Sequence, residues 1–84
     1  MEPEEADAAI RFEAARFGAG AGTMRDMWSC FHGNLYDLCR DGPLSDEMRV
    51  FSVALERWEI AVGAQREEAL AAARSLARSL GGPK

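Results

Sequence analysis

Cys30, His32 and Cys39 are the residues whose types most invite chemistry. Thiolates and an imidazole can hold zinc, and a thiol or hydroxyl beside a histidine can become a nucleophile. Their spacing argues against both roles. Cys30 and His32 are two residues apart, which on a helix turns them in different directions. Cys39 follows Cys30 by nine residues, a separation of ~13 Å of helical rise and about half a turn. The three groups could gather on one ion only with help from another chain, and the two thiols cannot bridge each other on one helix. Cys30 or Ser29 as a nucleophile would need a base oriented by a third group, and His32 is the only histidine. The residues read instead as a packed or surface histidine and two small buried thiols.

The acidic side chains are no better arranged for catalysis. Asp46 and Glu47 look like charges at a helix start, and Glu67 and Glu68 like a solvated face. The glycine-rich Phe17-Gly18-Ala19-Gly20-Ala21-Gly22 segment lacks the preceding strand and the lysine of a phosphate-binding loop. The expectation is a chain that is not an enzyme and uses neither cofactor nor metal.

The elements that carry these residues are helical. Stepping by four and three from Ile10 gives Ala14, Phe17, Ala21, Met24, Trp28, Phe31, Leu35 and Leu38, all apolar. The phase is kept across the three glycines at 18, 20 and 22, which predicts one helix over about 3–40. The competing reading of the glycines is a loop joining two shorter helices. Close approach of another helix is a further reason for glycine there. Acidic residues and Pro3 mark the start of this helix, Arg40 its last turn, and Gly42 its left-handed cap, with a turn over 41–44.

A second helix over about 45–80 starts at Ser45 as N-cap. Its stripe runs through Leu44, Met48, Phe51, Leu55, Trp58 and Val62 and is interrupted at Gln65. Beyond that point either Ala69, Ala72 and Leu76, or a straighter series through Leu70, Ala73, Ala77 and Leu80, can face the partner helix. Gly81, Gly82 and Pro83 are expected to end it.

Two such helices make an antiparallel hairpin whose arms would each be ~50 to 55 Å long. The fold class is therefore all-α, one domain over 1–84, with Trp28 and Trp58 near neighbours across the seam. A single seam buries too little apolar surface to offset the chain's conformational entropy. Val50, Val53, Ala54, Ile60 and Ala61 lie beside the main stripe of the second helix, and Phe12, Met27 and Tyr36 beside that of the first. Helices apolar on more than one stripe pack on more than one neighbour. The expectation is a homodimer or heterodimer with another helical hairpin, closing a four-helix bundle. Its partner interface draws on Trp28, Phe51, Leu55, Trp58, Val50, Val53, Ile60 and Met27.

The formal net charge of −4 argues against nucleic acid as the partner. No apolar run reaches the length of a membrane span, and no basic-then-apolar segment resembles a signal peptide. A cytoplasmic protein is expected, or one exported by a route that reads no cleaved peptide. Two cysteines are too few for a secreted disulfide scaffold.

Phe51-x-x-Ala54-Leu55-x-x-Trp58, followed by an Ala- and Arg-rich run to Leu80, resembles the downstream helix of the small Trp-x-Gly (ESAT-like) proteins of type VII secretion. That resemblance implies a helical hairpin that pairs into a four-helix bundle and leaves the cell without a cleaved signal peptide. The turn here is Asp41-Gly42-Pro43, with no tryptophan beside it. Tyr36 is followed by Arg40 where the family's export signal has an acid, so export would depend on a partner that carries the signal. The alternative reading is a cytoplasmic adaptor, chaperone or immunity-type protein that binds a helix of a larger partner.

Overall fold

The computed structural model describes residues 2–81. They form four helices, α1 (Pro3–Gly18), α2 (Met24–Leu38), α3 (Asp46–Ile60) and α4 (Ala64–Gly81), with no strand among the described residues. The all-helical class is as expected. The two long helices are not: each expected arm, 3–40 and 45–80, is broken near its middle. The molecule measures 37 × 25 × 20 Å, well short of a rod ~50 Å long.

The first break has a local cause. The amide of Ala19 still donates to the Ala15 carbonyl, after which Gly20 enters the left-handed region at φ 86° and its amide donates to the Phe17 carbonyl. The next helix is then started afresh. Thr23 is extended, and its Oγ1 accepts the Asp26 amide at 3.1 Å, a side-chain N-cap with an acid in the first turn. The register preserved through the glycines is thus a coincidence of spacing. Ala21, its member inside the segment, is exposed, and Met27 rather than Trp28 joins Met24 and Phe31 in the core.

Ser45 caps α3 as its position suggests, accepting the Met48 amide at 3.2 Å. The end of α2 falls earlier than expected: Cys39, not Gly42, is the cap residue, and Arg40 lies beyond the helix, where it pairs with Asp37 at 2.8 Å. The second break is at Ala61, which turns extended, and Gly63, which sits at φ 61°. The three residues 61–63 turn the chain so that α4 returns along α3.

Helix α1 packs against both α2 and α4, and α4 packs against α3. The shared core contains Ile10, Ala14 and Phe17 of α1, Met24, Met27 and Phe31 of α2, Met48, Phe51 and Leu55 of α3, and Ala73, Ala77 and Leu80 of α4. Phe31 and Phe51 meet edge to face at 5.8 Å between ring centres, joining α2 to α3. On α4 the straighter of the two series faces the core, through Ala73, Ala77 and Leu80. The burial that a two-helix seam lacks is supplied within the chain, by folding each arm back on itself.

The α1–α4 contact is close because both helices present small residues at intervals of four, Ala14 and Gly18 against Ala73, Ala77 and Gly81. A Cβ on Gly18 would stand 2.8 Å from Cγ and 2.9 Å from N of Arg78. Close approach of another helix is therefore one reason for glycine in this segment. Gly81 ends α4 from inside the helix, and Gly82 and Pro83, also expected to end it, lie outside the described residues. Arg78 Nε donates to the Gly18 carbonyl at 3.0 Å and Arg74 donates to the Phe17 carbonyl. Both bonds fall at the end of α1, where Arg74 adds to the Gly20 amide already on the Phe17 carbonyl.

Arg11 ties three helices together. It donates to Asp7 on its own helix, to the Leu80 carbonyl of α4 and to Glu47 of α3, each at 2.9 Å. The Glu47 hydrogen bond, helped by Asp7, raises the guanidinium's pKa against the opposing pull of burial.

Candidate interaction groove on α3 and α4

Helix α3 has two apolar faces. Met48, Phe51 and Leu55 enter the core, while Val50, Val53 and Ile60 stay exposed on the flank beside α4. Helix α4 divides in the same way, with Ala73 and Ala77 directed to α1 and Ala69, Ala72 and Leu76 left toward α3. The second four-and-three series, Ala69, Ala72 and Leu76, is thus not the core seam but the outer wall of a groove. This groove has a volume of about 800 Å³. Its α3 wall carries Val50, Val53 and Arg57, and the elbow end is closed by Ile60 and Gln65.

Each wall has a different texture. The α3 side is branched and bulky, and basic through Arg49 and Arg57. The α4 side is a run of alanines, acidic at Glu68. Arg49 pairs with Asp46 within its own helix, both side chains largely solvent-exposed. Arg57 and Glu68 make no ion pair among the described residues. At the elbow, Ile60 is 79% and Val62 74% exposed. No described helix is long and apolar enough to cross a membrane.

The residues expected to meet a partner are divided by this geometry. Val50, Val53 and Ile60 line the groove. Phe51, Leu55 and Met27 do not line it: each is buried in the chain's own core, because the helical breaks turn those stripes inward. Trp28 and Trp58 are half-buried against the core. They are not stacked on each other as a hairpin seam would have them. Trp28 has His32 as its neighbour, with ring centres 4.0 Å apart, and the Trp58 ring lies under the Arg66 guanidinium at 4.1 Å. The elbow that builds the groove was signalled in the sequence by Gly63 and by Gln65, the polar interruption of an apolar stripe.

The thiols and the imidazole occupy separate places. Cys30 turns toward α1, where its Sγ donates to the Ala9 carbonyl at 3.6 Å. Burial, reinforced by the charge of Glu13, raises the Cys30 pKa against a hydrogen bond from Asn34 that lowers it. Cys39 is exposed at the end of α2. Among the described residues no three His, Cys, Asp or Glu side chains are grouped to hold a metal ion. No protein-family model, curated protein or solved structure matches this chain.

Proposed function

We propose that this chain is a non-enzymatic helical interaction protein whose working surface is the α3–α4 groove. The observation that carries the reading is that Val50, Val53, Ile60 and Leu76, with Ala69 and Ala72, converge on one open face although the chain has already built its core elsewhere. An apolar face rimmed by polar residues is the usual mark of a protein-binding surface. A groove between two helices suits the ridge of another helix, which inserts its side chains between those of the walls. The sequence resemblance to the small Trp-x-Gly proteins supports the same class, a helical protein that acts by pairing. On this reading the protein acts in the cytoplasm, or outside after export without a cleaved peptide.

A photo-crosslinking amino acid placed at Val53 in producing cells tests the proposal. A discrete protein adduct is expected at Val53 and not at Glu4, an exposed position on α1. Equal labelling at the two positions, or none at Val53, would overturn it.

A further inference from the structure

We infer that two copies of this chain exchange α4: the elbow at 61–63 straightens, α3 and α4 become one helix, and each α4 takes its place against α1 and α3 of the other copy. This does not depend on what fills the groove.

Straightening the elbow keeps the core residues in phase. Leu55 of α3 and Ala73 of α4 are both fully buried. They are eighteen residues apart, which is about five whole turns of a continuous helix. Such a helix therefore carries the core faces of α3 and α4 on one side. The levels agree as well. Arg11 bonds both Glu47 and the Leu80 carbonyl, and these lie fifteen and eighteen residues to either side of Val62. In an antiparallel pair of straight helices that cross at Val62, residues at similar distances from the crossing face each other. Glu47 of one copy and Leu80 of the other then meet around one Arg11 again.

The apolar stripe of α3 also runs past the end of the helix. Val62 follows Leu55 by seven residues, about two turns, so it belongs to the core stripe. In the elbow it is left 74% exposed, beside Ile60 at 79%. At the crossing of two straight helices, Val62 of each copy covers Val62 of the other.

The hinge itself offers little resistance. Residues 61–63 hold no proline, and Gly63 at φ 61° is the one left-handed residue of the turn. Short connections between elements that can continue as one are where exchange occurs. The bonds of Arg74 and Arg78 to the Phe17 and Gly18 carbonyls re-form across the two copies, so the core of each unit is unchanged.

Two variants pull the elbow in opposite directions. Ala61 is extended at ψ 154°, the conformation favoured before proline, and the Val62 amide makes no backbone hydrogen bond among the described residues. Val62→Pro therefore suits the elbow and breaks a helix that runs through it. Gly63→Ala opposes the left-handed turn and favours the helix.

The full chain is refolded from denaturant at increasing concentration, with mass read by light scattering on a sizing column and helix content by circular dichroism. Wild type should divide between one chain and two, and the isolated dimer should persist on dilution, because releasing α4 breaks the core. Gly63→Ala should dimerise at a concentration at least about tenfold lower, and Val62→Pro should stay monomeric. In dimers of one isotope-labelled and one unlabelled chain, the Ala77 methyl of the first should contact α1 of the second by NMR.

A wild type monomeric at every concentration, Val62→Pro dimers like those of wild type, or Gly63→Ala dimerising no more readily would overturn the exchange. So would a dimer that separates at once on dilution, or Ala77 contacts confined to one chain. The groove reading is tested apart from this, by the Val53 adduct, and none of these outcomes alters it.

Discussion

Gly81 of α4 lies directly on the backbone of Ala15 of α1: a Cβ built on Gly81 would stand 2.7 Å from both the Ala15 Cα and the Arg11 carbonyl oxygen. Because those neighbours are main-chain atoms, the added methyl can be accommodated only by moving the helices apart. Gly81→Ala is expected to lower stability by ~1 to 3 kcal/mol, in spite of alanine's better helix propensity. Gly33→Ala in α2, where nothing lies within 4 Å of the new Cβ, is expected to raise it by ~0.5 to 1 kcal/mol. Urea unfolding of the two variants checks the pair. A stabilised Gly81→Ala would contradict the close α1–α4 crossing.

Arg11 is expected to matter through geometry as well as charge. Arg11→Ala strands the Leu80 carbonyl and removes the links to Asp7 and Glu47. A loss of about 2 kcal/mol is expected for a charged hydrogen-bonding group of this kind. Arg11→Lys should recover little of it, since one ammonium cannot reproduce a planar fork spread over three acceptors. Full rescue by lysine in thermal or urea melts would reduce Arg11 to a simple charge.

Leu55 and Val53 are two residues apart on α3 but have different surroundings, the first fully buried in the core and the second on the groove. Leu55→Asp is expected to abolish the cooperative fold, because it leaves a charge unpaired in the core. Val53→Asp is expected to keep the helical circular-dichroism signal while losing association through the groove. Two variants with the same phenotype would contradict the division of α3 into a core face and a docking face.

This division marks the limit of what the sequence disclosed. Helical class, the Ser45 cap and the α3 core residues Met48, Phe51 and Leu55 were legible because local capping and apolar periodicity determine them, whereas on α4 periodicity left two series open and packing on α1 selects Ala73, Ala77 and Leu80. The breaks were not, because an unbroken four-and-three spacing can be written across a turn. The stronger local evidence was the pairing of Gly20 with Thr23-x-x-Asp26, a stop followed at once by a new cap. Without the breaks, apolar residues beside the stripes such as Met27 and Ala54 look like surplus surface, although tertiary folding takes them inside. Val50, Val53 and Ile60, which lie beside the main stripe of α3, stay exposed among the described residues.

The two cysteines should differ in reactivity and in their effect on alkaline stability. Cys39 is exposed and should react with a thiol reagent well before Cys30, which is partly buried and whose pKa is raised. For Cys30, the folded chain holds the thiol proton more tightly than the unfolded chain does. Its contribution is therefore full below the ordinary thiol pKa of about 8.5 and is lost as pH rises through the higher folded value. Cys30→Ala should flatten that alkaline part of the stability profile in pH-dependent melts. An unchanged slope would show that Cys30 does not titrate differently on folding.

The most direct measurement of the association surface is a methyl NMR dilution series on the whole chain. The methyl signals of Val50, Val53 and Leu76 are expected to shift together as concentration rises, while those of Ile10, Leu55 and Leu80 stay in place. Shifts centred on other exposed faces, such as those around Phe12 or Tyr36, or no shift at any concentration, would contradict association through the α3–α4 face.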